Sequence, residues 1–350
     1  MEIAEDIGVW QQAAGDGDRN YVDVCLRWGV ILNGPGEYGP LPDKKNEYAE
    51  KIGPKKLNEL LCFATKLAEG DIVVLRLGTQ QVFAVGQVVG DYLWTEDFGD
   101  VDGWTLQHVR RVRWLWSAPQ EPRRFPAYAL KQGLTTQKLA REGEAWHWLN
   151  QLEVPEDAYL RPVPSLPTVH YREVDQADIG TFLYQQGIPS QTIRNLTEQL
   201  GELIWIANWY AKSETAPSEH ETVCYLAVPL LRALGWTPQK MAIETEGIDV
   251  ALFNRLPRDG QSLVGVVEAK RKGNACLTAF DQAARYAARH ANCRKVIVTD
   301  GIRYGVFVRT DDTFNLRAYL NLTRLAHEYP LYECLGAAEA FLAMTPDWNE

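Results

Sequence analysis

Two apolar runs that carry charges where burial alone wants none constrain this chain more than any other feature. They are GIDVALF (Gly247–Phe253), with Asp249 between Ile248 and Val250, and LVGVVEAK (Leu263–Lys270), which ends in Glu268-Ala269-Lys270. Side chains of a strand alternate faces, so Glu268 and Lys270 project together and Ala269 points away. A paired strand bearing Asp249 can bring a second carboxylate to the same edge. Two carboxylates an ion's width apart repel, and apolar surroundings add a desolvation cost. A divalent cation resolves both problems, hard oxygen ligands suit Mg2+, and a lysine beside the ion can orient or help deprotonate a water. With the metal stabilising charge on a phosphate oxygen, such a set is suited to hydrolysing a phosphodiester. An acid-x-Lys triplet is common by chance. Here it closes an apolar run, so the charges emerge at the rim of a buried strand.

The flanking sequence supplies a frame. Ser218 and Glu221 are spaced as a helix capping box requires, Gly235 stands where a helix end wants a left-handed residue, and Pro229 should kink the helix between them. Strands are expected at Met241–Glu244, Ile248–Phe253, Leu263–Lys270, Lys295–Thr299 and Tyr304–Arg309, with a helix over Leu277–Arg289. Helix, strand meander, helix and strand describe an α/β sandwich. Upstream, Ile193, Leu196, Leu200, Leu203, Ala207 and Tyr210 have helical spacing, with Ser190 as the expected N-cap. Pro155, Pro162, Pro164 and Pro167 mark residues 151–187 as a connector without regular structure, which divides the chain into domains at 1–150 and 188–350.

In the first of these, DVCLRWGVILNG alternates as a strand would, with Val24, Leu26, Trp28, Val30 and Leu32 on one side. GDIVVLRLG and QVFAVGQVVGDYLW read as two strands joined through Gly78–Gln80, and HVRRVRWLW as another. Short strands with glycine turns suggest a small β-barrel.

A formal net charge of −10 weighs against a protein that coats nucleic acid, but not against an enzyme that touches phosphates locally. Six scattered cysteines without a CxxC pair, no apolar run of membrane-span length, and a start lacking secretory order lead us to expect a cytoplasmic protein. The six histidines form no HExxH spacing, and no Gly-x-Ser-x-Gly elbow is present.

The span Glu219–Arg309 resembles the PD-(D/E)XK nuclease superfamily, in particular the nuclease domain of type I restriction subunits. Four matches carry this: Glu219 in SEHET ahead of PLLRALGW, Asp249 in GIDVALF, Glu268 and Lys270 in VVEAK, and Gln282 with Tyr286 in DQAARYA. VTDGIRYGVFV is similar to the strand pair that follows in the family. The resemblance implies that Asp249, Glu268 and the Ala269 carbonyl ligate Mg2+ or Mn2+. It also implies that Lys270 positions the attacking water, that Gln282 and Tyr286 support the site or the DNA backbone, and that Glu219 acts on the metal through water. Ile248 stands where the family has proline, a change many members share. No GxxxxGK[ST] loop occurs, so a nuclease domain without the family's ATP-driven motor is expected.

Residues 20–120 are similar to the PUA-like barrels of the EVE group, through RWGVILNGPGEYG, EGDIVVLRLGTQQVFAVGQVVGDYLW and GWTLQHVRRVRWLW. That resemblance implies a pocket for a flipped, modified base, in a group often fused to nucleases. The implied fold is a PUA-like β-barrel followed by an α/β restriction-endonuclease-like sandwich with a mixed central sheet. A base outside its stack needs aromatic faces and a few polar groups. The candidates are Trp28, Tyr92, Trp94, Trp104 and Trp114 with Asn33, Gln107 and His108, while Arg110, Arg111 and Arg113 are candidates for phosphates. Trp28, sharing a face with Val30 and Leu32, reads first as core, whereas Trp94 and Trp104 flank the loop TEDFGDVDG, and loops carry recognition more often than strands. The expected protein is therefore a Mg2+-dependent endonuclease of restriction or anti-phage defence type acting on DNA, dimeric if it breaks both strands. An inactive reader of modified nucleic acid and an RNA-directed nuclease are the alternatives.

Overall fold

The computed structural model describes residues 1, 3–15, 19–167, 173–213, 217–272 and 276–348, in two compact units, Met1–Thr168 and Val169–Glu350. It is a mixed α/β protein with one curled sheet and a second, mixed sheet. The first unit holds strands β1 (Val9–Ala13), β2 (Val30–Asn33), β3 (Ile72–Leu77), β4 (Gln81–Trp94), β5 (His108–Ser117), β6 (Arg123–Arg124) and β7 (Thr136–Lys138). Its helices are α1 (Val22–Trp28), α2 (Lys45–Lys51), α3 (Pro54–Thr65) and α4 (Gly143–Gln151). The strands form one sheet in the order β2-β5-β4-β3-β1-β7, with β6 paired to β4.

This sheet is a curled half-barrel. Among the described residues no backbone ladder joins β2 to β7, so the closed barrel expected from the sequence is not formed by main-chain pairing. Side chains bridge the gap instead. Gln12 Nε2 donates to Leu32 O at 2.7 Å, and Asn33 Nδ2 donates to Thr136 Oγ1 at 2.9 Å. Gln12 and Asn33 are fully buried, where an unpaired amide is costly, so these bonds hold the two ends together as ladder bonds would.

DVCLRWGVILNG is not one strand. Val22–Trp28 is helical, Gly29 ends it with a left-handed φ of 57°, and only Val30–Asn33 is extended. Asp23 in the first turn and Arg27 in the last both favour the helix dipole. Over seven residues an apolar pattern fits either period, and the left-handed glycine decides between them. Trp28 is thus the last residue of a helix and does not share a strand face with Val30 and Leu32.

The second unit holds helices α5 (Gln176–Gln185), α6 (Ser190–Lys212), α7 (Glu219–Thr222), α8 (Val228–Ala233), α9 (Phe280–Ala287) and α10 (Ala337–Met344). Its strands are β8 (Met241–Thr245), β9 (Ile248–Phe253), β10 (Leu263–Ala269), β11 (Lys295–Thr299), β12 (Arg303–Thr310), β13 (Thr313–Asn321), β14 (Glu328–Tyr329) and β15 (Cys334–Leu335). They form a mixed sheet in the order β14-β15-β13-β12-β11-β10-β9-β8, with β10 and β11 parallel. Val250, Val267 and Ile297 pack with α5, α6, α8 and α10 on one face. Ala251, Val266, Val296 and Val298 pack with Ala283 and Ala287 of α9 on the other. Burial on both faces is why these strands read as continuous apolar runs.

The connector is more ordered than its prolines suggest. A 3-10 turn spans Glu156–Leu160, and α5 begins within residues 151–187, with Asp175 Oδ1 accepting from Asp178 N at 2.7 Å. The last of the four prolines is Pro167, so nothing bars a helix after Asp175, while residues 168–172 lie outside the described ones. Helix α6 starts at Ser190 with Pro189, not Ser190, in the cap position, and Pro189 O accepts the first helical bond, from Ile193 N. Pro229 is preceded by a π-helical turn, Val223–Ala227, where the helix widens ahead of a residue that has no N–H. The capping box of Ser218 and Glu221 closes in both directions.

Candidate active site

Strands β9 and β10 pair antiparallel, with Val250 opposite Val267 and Ala251 opposite Val266. One further step in that register brings Asp249 opposite Glu268, so both carboxylates belong to the face covered by α9. Ala269 N donates to Asp249 Oδ2 at 2.6 Å. Lys270 Nζ donates to Glu268 Oε1 at 2.7 Å and reaches Gln282 Oε1 of α9 at 3.5 Å. The Lys270 amide donates to Thr299 O at 2.7 Å, holding this residue in line with β11. Asp249, Glu268, Ala269, Lys270 and Gln282 thus form one cluster at the ends of two buried strands.

Its electrostatics are those of crowded acids. Burial raises the pKa of Asp249; the Ala269 amide and Lys270 oppose that rise, and Glu219 and Glu244 add to it. Burial also raises Glu268, which is 3% exposed; Lys270 opposes the rise, and Asp249 and Glu219 reinforce it. Glu219, exposed in the first turn of α7, is therefore within electrostatic range of both carboxylates without hydrogen-bonding either. Glu221 is spent on the capping box, where its Oε2 accepts from Ser218 N at 2.7 Å.

Tyr286 is one turn beyond Gln282, but its hydroxyl donates to Glu246 Oε2 at 2.8 Å rather than reaching Glu268. Burial, then Glu246, pushes the Tyr286 phenol up to about 12. Glu244 and Glu246 were not singled out from the sequence. Both hold left-handed φ of 52°, Glu244 within β8 and Glu246 in the β8–β9 turn, and Glu244 Oε1 meets His220 Nδ1 at 2.6 Å. Non-glycine residues in that region store strain and gather at functional sites. The only trace in the sequence is the alternation of acids in ETEGID.

Among the described residues, no group of three or more His, Cys, Asp or Glu side chains is arranged to hold a metal ion. A hard cation that keeps most of its waters needs only one or two carboxylates, and the desolvated Asp249–Glu268 pair fits that requirement.

In the first unit, a cavity of about 420 Å³ is lined by Asn33 and Trp104 together with Arg19, Tyr21, Lys56 and Thr105. The Trp104 ring packs edge-on to Tyr21 at 5.4 Å, and the Arg19 guanidinium lies 4.0 Å from its centroid. Trp28, Tyr92, Trp94, His108, Arg110 and Arg111 do not line this cavity. Trp94 Nε1 donates to Gly36 O, Arg111 donates to Pro164 O, and Arg110 is buried. His108 is 1% exposed and committed through both ring nitrogens. Its Nε2 faces Pro35 O at 3.1 Å and Tyr48 Oη at 2.9 Å, and its Nδ1 faces Tyr92 Oη at 2.6 Å. A carbonyl only accepts, so Nε2 carries the proton. Leu41 N donates to Tyr92 Oη, whose own proton goes to Nδ1. This network holds a neutral imidazole, and burial lowers its pKa to about 4.

Residues 10–140 match the family model described as a domain of unknown function, DUF8426. No curated protein matches the chain. Among solved structures, a fragment described as that of an HsdR subunit of a type I restriction enzyme from Vibrio vulnificus YJ016 is similar at 18% identity, with a TM-score of 0.24. That likeness covers 34% of this chain and 25% of the other, so the chain spans about a quarter of the fragment's length.

Proposed function

We propose that the Asp249–Glu268–Lys270 cluster hydrolyses phosphodiester bonds of DNA, as a restriction or anti-phage endonuclease working with Mg2+ or Mn2+. One observation carries this reading. A buried carboxylate, Glu268, and a half-buried one, Asp249, are held on opposed strands at a strand end, each with its pKa raised by desolvation and by the other acids, and among the described residues only Glu268 forms an ion pair with Lys270. Acids kept at such a cost are a frequent mark of function. A divalent ion bound there supplies charge neutralisation and Lewis acidity at the scissile phosphate.

The chain's own groups have separate tasks. Asp249, with one oxygen fixed by the Ala269 amide, presents its other oxygen outward. Glu268 and the Ala269 carbonyl complete the oxygen donors. Lys270, now on Glu268, would turn to the water whose oxygen bonds phosphorus as the P–O bond to the departing sugar oxygen breaks. Gln282, within reach of Lys270, keeps the ammonium on the attacking side. Glu219 takes a proton or a water at the rim. Tyr286 and Glu246 hold α9 against the β8–β9 turn.

For the first unit we propose recognition of a base, modified or not, in the cavity lined by Trp104, Arg19 and Thr105, with Asn33, whose amide is already committed within the sheet, as part of its wall. One site cuts one strand, so double-strand cleavage calls for two copies. The test is cleavage, with Mg2+ or Mn2+, of DNAs matched except for cytosine or adenine modification, and of an RNA of the same sequence. Cutting confined to modified DNA supports both halves. Cutting of every DNA keeps the nuclease and removes the modified-base reader. Cutting of RNA alone replaces the substrate, and no cutting leaves a reader without catalysis.

A further inference from the structure

A second cavity in the first unit, of about 450 Å³, is lined by Lys55, Lys56, Arg76, Gly78 and Gly133, among others. Three of its features are electrostatically incomplete. The first is the N-terminus of α3, a twelve-residue helix whose cap position is Gly53 and whose first residue is Pro54. No side chain caps it and no acid stands in its first turn, where Lys55 and Lys56 instead oppose the helix dipole. Free amides at a helix start, with lysines beside them, are a ready-made anion site.

The second feature is Arg76. It is 4% exposed, and its Nη atoms donate to Gly78 O at 2.6 Å and Leu134 O at 2.9 Å, two carbonyls on the wall of the same cavity. Its Nε is buried without a hydrogen-bond partner, and among the described residues no carboxylate forms an ion pair with it. Glu59 acts on Arg76 only at a distance and is itself paired with Lys56, so the buried guanidinium is left without a contacting anion, a costly arrangement until one joins it.

The third is Lys55. Its ammonium lies over Gly133, 3.7 Å from where a Cβ would stand, and makes no ion pair among the described residues. Glu59, the one carboxylate lining the cavity, is already met by Lys56 Nζ at 3.2 Å. Three cations therefore face one carboxylate around a glycine-lined hollow.

We propose that this cavity binds a phosphoryl group. It adjoins the Asn33–Trp104 cavity, with which it shares Lys56 and Thr135, so a nucleic-acid strand that leaves a base in one can leave a backbone phosphate in the other. That source rests on the nucleic-acid reading above, whereas the anion site stands without it.

The experiment is titration calorimetry of the full chain with inorganic phosphate and, separately, with an unmodified single-stranded DNA. Lys55→Ala, at an exposed position, and Thr79→Glu, which adds a carboxylate at the cavity wall, are measured alongside. Phosphate binding weakened about five- to tenfold by Lys55→Ala and abolished by Thr79→Glu is expected, from the strength of a charge-assisted bond. The same losses with the DNA strand identify the strand as the source. Phosphate binding with these losses and no strand binding keeps the site and assigns it to a free phosphorylated ligand. No phosphate binding, or binding that neither variant changes, overturns the proposal even if the strand binds.

Discussion

Ala269 N and Asp249 Oδ2 are 2.6 Å apart, so the main chain of β10 grips the carboxylate of β9. This bond is what keeps a half-buried acid pointing along the strand end beside Glu268, when burial and the nearby Glu219 and Glu244 favour its protonation and Lys270 opposes it. It also separates structure from chemistry at Asp249, because an amide oxygen can accept the same bond.

Asp249→Asn is therefore expected to stabilise the protein by about 1 kcal/mol, since it removes a desolvated charge among like charges and keeps the bond to Ala269. Cleavage should fall to background. Thermal unfolding and a cleavage assay on one preparation check this, and a variant that is both less stable and less active contradicts it.

Manganese should raise the melting temperature of the wild type. A ligand at a hundred times its Kd adds about 2.7 kcal/mol. The same addition should leave Asp249→Asn unmoved. A shift of equal size in both proteins places the ion elsewhere.

Acid should weaken the first unit through His108. Its folded pKa, about 4, is below the ordinary 6.5, so between those values the unfolded chain binds the extra proton. Stability is then full above pH 6.5, falls as pH drops through that window, and has lost about 3 kcal/mol by pH 4. Urea unfolding at pH 7 and 4.5 measures the loss, and His108→Gln should flatten it.

Lys295 supports the second unit away from the cluster. Its Nζ donates to Ala343 O and Thr345 O at the end of α10, and burial lowers its pKa to about 7. Lys295→Met leaves both carbonyls without this donor and should cost about 2 kcal/mol, measured by urea unfolding, with no effect on phosphate or metal binding.

The strands of the candidate site were legible because burial on both faces writes itself as apolar runs, and only a charge at a strand end interrupts them. Asp249, Glu268 and Lys270 stand out for that reason. Helix α1 was not legible, since seven residues cannot distinguish the two periods and Gly29 settled the matter. Asn33 and His108 look equally available in sequence, yet both are buried and spent on internal partners, Asn33 on Glu59, Thr136, Lys56 and the Gly34 amide, and His108 on two tyrosines and a carbonyl. Arg76 and Lys56 gave little signal, because Arg76 is completed by the distant Leu134 carbonyl and Lys56 by Asn33 of β2 and Thr135, none of them near in sequence.

The central claim is that the strand-end acids and lysine form a metal-dependent phosphodiesterase. Nicking of supercoiled plasmid DNA by the wild type and by Lys270→Ala, each with Mg2+, with Mn2+ and with chelator, tests it most directly. Metal-dependent nicking by the wild type and a loss of at least about a hundredfold in the variant are expected, the scale of one positioned catalytic group. Equal nicking by both proteins, or nicking that survives the chelator, contradicts it.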